Sequence, residues 1–205
     1  DRSQLHTKYI NKHLSAQQKE EVRLLKQFAK ALDIYGAELR VEGFSGYLCE
    51  LMILQYGSFA SALENARNWK MPVYLEPAGK PETENPETRN SKPETKFTSP
   101  LVVLDPVDKN RNVAAVVSTT SLARFIFAAR MFLEKPNAGM FFRKEIRAAP
   151  KALRKMIAAR KTSLLMLEFK SPKLVEDILW PQLKKPRLQL AGSLSITGLQ
   201  SWAIT

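Results

Sequence analysis

The run Tyr47–Gln55, YLCELMILQ, constrains the fold more than any other stretch. Leu48, Cys49, Leu51, Met52, Ile53 and Leu54 leave only Glu50 and Gln55 as polar sites besides Tyr47. A helix that is apolar nearly all round must be buried. The turn before it, with Gly43, Ser45 and Gly46, is then held on a rigid support, and Ser45 or Gly46 is placed to cap the helix. Upstream, Val22, Leu25, Phe28, Ala29 and Leu32 recur at helical spacing, so Ser15–Leu32 reads as an amphipathic helix. Arg23, Lys26 and Lys30 lie together on its other side. Asp33-Ile34-Tyr35-Gly36 supplies the polar residue and glycine that end it. Cations beside an aromatic and a glycine-rich turn suit a nucleoside triphosphate or an RNA phosphate. The alternative is an ordinary solvated basic face on a core helix.

Composition narrows the classes. The 205 residues are enough for one or two domains with real cores. A hydrophobic content of 44% with 25% charge is that of a globular protein. The longest apolar run, LARFIFAARMFL, is broken by Arg124 and Arg130, which argues against a membrane span. The single Cys49 excludes an internal disulfide and suits a reducing cytoplasm. Two histidines and one cysteine cannot supply an ordinary structural zinc site. The net charge of +12 favours a polyanionic partner, nucleic acid ahead of membrane. The chain begins at Asp1, not Met, which reads as processing or as part of a longer polypeptide.

The remaining elements follow in order. Asp1–Leu14 is a polar, basic segment. Gly57-Ser58 reads as a turn and cap for a third helix, Ser58–Trp69, with Phe59, Leu63, Ala66 and Trp69 inward. Met71–Leu75 and Leu101–Leu104 are short strands. Residues 77–99 between them, rich in Pro, Glu, Thr and Asn, read as a flexible insertion. Asp105 and Asp108 make too thin a set for magnesium with Lys109 and Arg111 beside them; a structured turn in which one aspartate orients Arg111 is the better reading. Ser118-Thr119-Thr120 caps a helix over Leu122–Leu133, and Met140-Phe141-Phe142 forms an apolar patch.

From Arg143 to Lys161 the chain carries Arg143, Lys144, Arg147, Lys151, Arg154, Lys155, Arg160 and Lys161 against Glu145 alone. Pro150–Arg160 reads as a helix with proline near its start. One reading is a face that tracks an RNA backbone; the other is a plain solvated helix. No aromatic interleaves the run, so phosphate contact is expected and base stacking is not. Thr162–Lys170 reads as a strand and Leu174–Leu183 as a helix, the start of a second, α+β domain. After Lys185 the pattern loses its periodicity.

Three pieces carry a resemblance. EVRLLKQF with IYGAELRVEGFSGYLCEL is similar to the central region of the archaeal (class I) CCA-adding enzymes, the tRNA nucleotidyltransferases. DRSQLHTK resembles the segment leaving their catalytic head, and DPVDKNRNVAA resembles their second signature. The resemblance implies an α+β architecture. A mainly helical central domain over 1–142, of the poly(A) polymerase substrate-binding type, would precede part of a tRNA-binding body over 143–205. It implies that His6, Lys26 and Tyr35 hold the triphosphate of ATP or CTP and that Arg111 meets the base, with Arg23 and Asn112 in support. Arg143, Lys144, Arg147, Lys151, Arg154 and Lys155 would then meet the tRNA acceptor arm. In that family a head domain holds magnesium through an Asp-x-Asp set, and this sequence contains no Asp-x-Asp.

The expectation is therefore a C-terminal portion of a CCA-adding enzyme, inactive alone, either a fragment or one subunit beside a separate head chain. Residues 186–205 depart from the family pattern. A second domain built only up to Lys185 would expose an edge that favours a partner, a homodimer included. A non-catalytic RNA-binding or adaptor protein that retains the central fold is the alternative reading.

Overall fold

The computed structural model describes residues 2–75, 97–108, 110–143, 150–161, 175, 178–184, 186 and 189. The chain divides into two compact units, Asp1–Arg143 and Lys144–Thr205. Among the described residues it is mainly helical with one small sheet, an α+β architecture.

The first unit opens with α1, Arg2–His13. The polar opening segment is thus a helix, seated on the core by Ile10 and followed by buried Leu14. The second helix, α2, spans Ala16–Ala31. Its start is a reciprocal cap: Gln18 N donates to Ser15 Oγ at 3.2 Å, and Ser15 N donates to Gln18 Oε1 at 3.1 Å. Its buried face is the predicted stripe, Val22, Leu25, Phe28 and Ala29. It stops where Asp33 takes φ 56, a left-handed value that Asp tolerates better than most residues.

The chain then folds back on itself. Phe44 N donates to Ile34 O at 2.7 Å and Gly36 N to Phe44 O at 3.0 Å. Gly43 is required at this crossing, because a Cβ there would collide with the Ile34 carbonyl. Ser45 caps α3, Gly46–Tyr56, by accepting from Leu48 N. Leu48, Cys49, Leu51, Met52 and Ile53 are buried, as an all-apolar helix demands. Gly46, Tyr47, Glu50 and Leu54 form its half-buried strip. Ser58 caps α4, Phe59–Ala66, which is shorter than the predicted Ser58–Trp69. Trp69 nevertheless packs against the core beyond the helix end.

Strands β1, Val73–Leu75, and β2, Leu101–Val103, pair in parallel with Val73 opposite Leu101. Asn112 extends the sheet as an antiparallel bridge to Leu104. Helix α5, Thr119–Glu134, is capped by Ser118 as predicted and buries Leu122, Phe125, Ile126 and Ala129. Its start is tied to the earlier loop: Ser118 N donates to Glu42 O at 2.8 Å and Ser121 Oγ to Val41 O at 3.3 Å. A 3-10 turn, Ala138–Phe141, brings Phe141 inward, while Phe142 stays exposed.

The centre is aromatic. Phe28, fully buried, meets Phe59 at 5.4 Å, Phe141 at 5.6 Å, Phe132 at 5.8 Å and Phe125 at 6.5 Å between ring centroids. Edge-to-face pairs of this kind add about 0.5–1.5 kcal/mol each to the burial itself.

In the second unit, α6 spans Pro150–Ala159. Residues 178–184 are helical and contain Trp180-Pro181. The strand expected over Thr162–Lys170, residues 77–96 of the expected 77–99 insertion and most of 186–205 lie outside the described residues. No helix among the described residues is long and apolar enough to cross a membrane.

Two outcomes check this core. Phe28→Ala should cost about 3–5 kcal/mol in denaturant unfolding. Burial pushes the Cys49 thiol up to about 12, so Ellman's reagent should leave the folded chain unlabelled at pH 8 and react once it unfolds.

Candidate functional site

Two side-chain clusters flank the half-buried strip of α3. The first is built round Asp105, which follows β2 and is fully buried. Its Oδ2 accepts from His6 Nε2 at 2.9 Å and from Arg111 Nη1 at 3.1 Å. Its Oδ1 accepts from the Tyr47 hydroxyl at 3.1 Å and from Val107 N at 3.0 Å. The turn closes on itself through Asp105 N donating to Arg111 O at 3.0 Å. Tyr47 also stacks on His6, with ring centroids 4.1 Å apart and 17° between planes. One residue of α3 therefore touches the histidine with its ring and the carboxylate with its hydroxyl.

Electrostatics favour an ionised Asp105. Burial pulls its pKa up, but the Val107 amide, the charge and hydrogen bond of His6 and the Tyr47 hydroxyl outweigh that pull, and the net shift is downward. Tyr47 is raised, by burial first and then by Asp105, so it remains a neutral donor. Tyr9 is raised for the same two reasons. An ionised carboxylate only accepts, so His6 must carry its proton on Nε2. The 3.4 Å approach of Arg111 Nη1 to His6 Nε2 is then two donors sharing one acceptor. Nδ1 is left as the ring nitrogen able to meet a ligand, and it donates only when the ring carries both protons.

The second cluster lies round Gly46. Lys26 Nζ donates to Glu50 Oε1 at 2.7 Å. A Cβ built on Gly46 would sit 3.2 Å from the Tyr35 hydroxyl and 3.4 Å from Lys26 Nζ, so the absence of a side chain lets both polar ends converge there. Lys30 Nζ lies 5.2 Å from the Tyr35 ring centroid, a cation–π distance. Gly46 opens α3, where backbone N–H groups and the helix dipole favour an anion.

Residues 20–142 match the family model described as tRNA nucleotidyltransferase, second domain, which is more than half of the chain. The chain belongs to the tRNA nucleotidyltransferase family. Residues 160–201 also match the model of the CCA-adding enzyme C-terminal domain. The CCA-adding enzyme of Saccharolobus shibatae is 38% identical across the whole of this chain and 46% of its own length. That of Sulfolobus acidocaldarius is 39% identical over 97% of this chain and 42% of its own. That of Methanoregula boonei is 42% identical over 97% of this chain and 40% of its own. The chain thus spans less than half the length of these relatives.

Within this tRNA nucleotidyltransferase domain, the expected site residues fall into distinct places. His6 and Arg111 meet at Asp105. Lys26 and Tyr35 meet at Gly46. Arg23 stands apart: its side chain is 75% exposed and paired with Glu20 at 2.7 Å. Asn112 is buried and spent on backbone, donating to Leu101 O and accepting from Val103 N and Ala114 N, so it shapes the sheet end that carries Arg111. Arg143 pairs with Asp33 at 3.3 Å on the surface. Lys151, Arg154 and Lys155 are exposed on α6 and share one face by their spacing. Lys144 and Arg147 lie outside the described residues.

Sequence reasoning missed Tyr47 and Glu50. The one available signal was that they are polar positions on a helix otherwise given to the core. Between the two aspartates of the turn, the structure selects Asp105 as the one that orients Arg111.

Asp105 predicts a pH dependence. Its folded pKa is lowered, so its stabilisation is complete above the unfolded value and is lost as pH falls through the folded one. Asp105→Asn should therefore cost roughly 1–3 kcal/mol at neutral pH. The gap in melting temperature between the two proteins should close as pH drops below about 4. A gap independent of pH would mean that the charge does not matter.

Proposed function

We propose that this chain is the C-terminal portion of a CCA-adding tRNA nucleotidyltransferase, which adds C, C and A from CTP and ATP to the tRNA 3′ end without a nucleic-acid template. The observation that carries the proposal is the convergence of the four residues expected to hold a nucleotide into two clusters on either side of one helix strip. The family match supports the same reading. Residues 1–142 act as the nucleotide-binding central domain and 143–205 as part of the tRNA-binding body, working in the cytoplasm.

Each residue has a part. Lys26 neutralises a phosphate oxygen as a point charge, exchanging its Glu50 partner for the ligand. Tyr35 donates its hydroxyl beside it. When its ring carries both protons, His6 donates from Nδ1 to another phosphate oxygen. Arg111, whose side chain is 39% exposed, keeps donors free of Asp105 for an acceptor on the base edge. Arg143, Lys144, Arg147, Lys151, Arg154 and Lys155 meet acceptor-arm phosphates, which position the tRNA without reading its sequence.

Magnesium would activate the tRNA 3′-hydroxyl and stabilise charge at the phosphate under attack. The described residues of this chain do not fit it. None of them form a group of three His, Cys, Asp or Glu side chains able to hold a metal. The buried Asp105 has both oxygens committed to donors. We assign the metal to carboxylates of a head segment outside this sequence, on the same polypeptide or on a separate one.

The test is incorporation of labelled CTP and ATP into tRNA lacking its CCA end, by this chain alone and by the chain mixed with a CCA-adding-enzyme head segment. Incorporation in the mixture only is expected. Lys26→Ala should lower it by about tenfold or more through nucleotide affinity, with the circular dichroism spectrum unchanged. Incorporation by the chain alone would overturn the placement of the metal. RNA binding indifferent to the acceptor end, with no incorporation in the mixture, would favour the adaptor reading.

A further inference from the structure

Asp105 has no place in the scheme above beyond holding a turn, yet its geometry is more specific than that. We infer that Asp105, braced by Tyr47, is the positioning residue that couples base selection to triphosphate placement. The inference rests on the reading that Arg111 faces the base and His6 the triphosphate.

The two carboxylate oxygens divide the work. Oδ1 takes the anchoring donors, Val107 N at 3.0 Å and the Tyr47 hydroxyl at 3.1 Å. Oδ2 takes the nucleotide-facing pair, His6 Nε2 at 2.9 Å and Arg111 Nη1 at 3.1 Å. All four acceptor positions of the carboxylate are thereby filled. Because both functional donors use one oxygen, a rotation of the carboxylate that released Arg111 would also release His6. Tyr47 adds a second restraint, since its ring fixes the plane of His6 while its hydroxyl fixes the carboxylate. Tyr47 lies on the same α3 strip as Gly46 and Glu50, which places the Lys26 cluster and the Asp105 cluster on one rigid element.

Selectivity follows from this rigidity. A guanidinium offers only donors. One that swings freely finds a carbonyl oxygen of U or G as readily as a ring-nitrogen acceptor of C or A. Pinned by Asp105, it meets an acceptor at one place relative to the triphosphate, and a base whose acceptors lie elsewhere leaves it unpaired. Once a bound base covers the half-exposed guanidinium, a donor left unpaired beneath it makes the discrimination large.

The experiment uses this chain together with a CCA-adding-enzyme head segment, adding a single nucleotide to tRNA that lacks its CCA end, with kcat/KM measured for CTP and for UTP. Asp105→Asn, Tyr47→Phe, Arg111→Ala and the double variant D105N/R111A are compared. Asp105→Asn should reduce the CTP:UTP preference on the order of tenfold. Tyr47→Phe, which keeps the stack and removes the hydroxyl, should reduce it about threefold. In the double variant the preference should fall no further than in Arg111→Ala alone, because Asp105 acts through Arg111. If Arg111→Ala lowers the preference while Asp105→Asn and Tyr47→Phe slow both nucleotides equally, the inference is overturned and the proposed function stands. If Arg111→Ala leaves the preference unchanged, the base-reading role of Arg111 fails and the inference fails with it. Should Asp105→Asn not fold, Tyr47→Phe decides: an unchanged preference overturns the inference.

Discussion

The Asp105 carboxylate joins three parts of the chain that are far apart in sequence. It takes His6 from α1, Tyr47 from α3 and Arg111 from its own turn, across separations of 99, 58 and 6 residues. A buried charge is costly unless it is paired and hydrogen-bonded, and here every acceptor position is used. The arrangement therefore tolerates few alternatives. If one donor moves, the remaining charge is left partly uncompensated in a dry setting, and the others must move as well. That interdependence makes the site a unit and not a collection of nearby residues.

Helix α3 supplies the frame. Its apolar residues are locked among α2, α4 and the aromatic core, so the strip carrying Gly46, Tyr47 and Glu50 cannot drift. Gly46 admits Lys26 and Tyr35, Glu50 holds Lys26, and Tyr47 holds Asp105 and His6. The loop before it is fixed in turn by Gly43 beneath Ile34 and by the Glu42 carbonyl accepting from Ser118 at the start of α5. Stability and function are thus linked through packing, since the residues that bury the helix also set where its polar strip points.

Local rules made the frame legible in the sequence. The period of Val22, Leu25, Phe28 and Ala29, the run Leu48–Ile53 and the caps at Ser15, Ser45, Ser58 and Ser118 all follow from chemistry within a few residues. The opening segment failed that treatment because α1 has little apolar signal of its own. What seats it is Ile10, Leu14 and the contact of His6 with a residue 99 positions away. The site was legible only in part for the same reason. Arg111 and an orienting aspartate are neighbours in sequence, but nothing local connects Lys26 to Glu50 or His6 to Tyr47. The resemblance supplied which residues to expect at a nucleotide site; the fold shows how they are held. Arg23 and Asn112 mark the limit of reading by proximity, since one is paired on the surface and the other is spent on the sheet.

Asp105 is thus taken to hold Arg111 and His6 as one unit while a nucleotide is bound. The most direct measurement is a crystal structure of this chain with a CCA-adding-enzyme head segment and CTP bound. Arg111 Nη1 should lie on Asp105 Oδ2 near 3.1 Å, with His6 stacked on Tyr47 and the remaining guanidinium donors turned to the base. An Arg111 side chain swung off Asp105 to reach the nucleotide would contradict it.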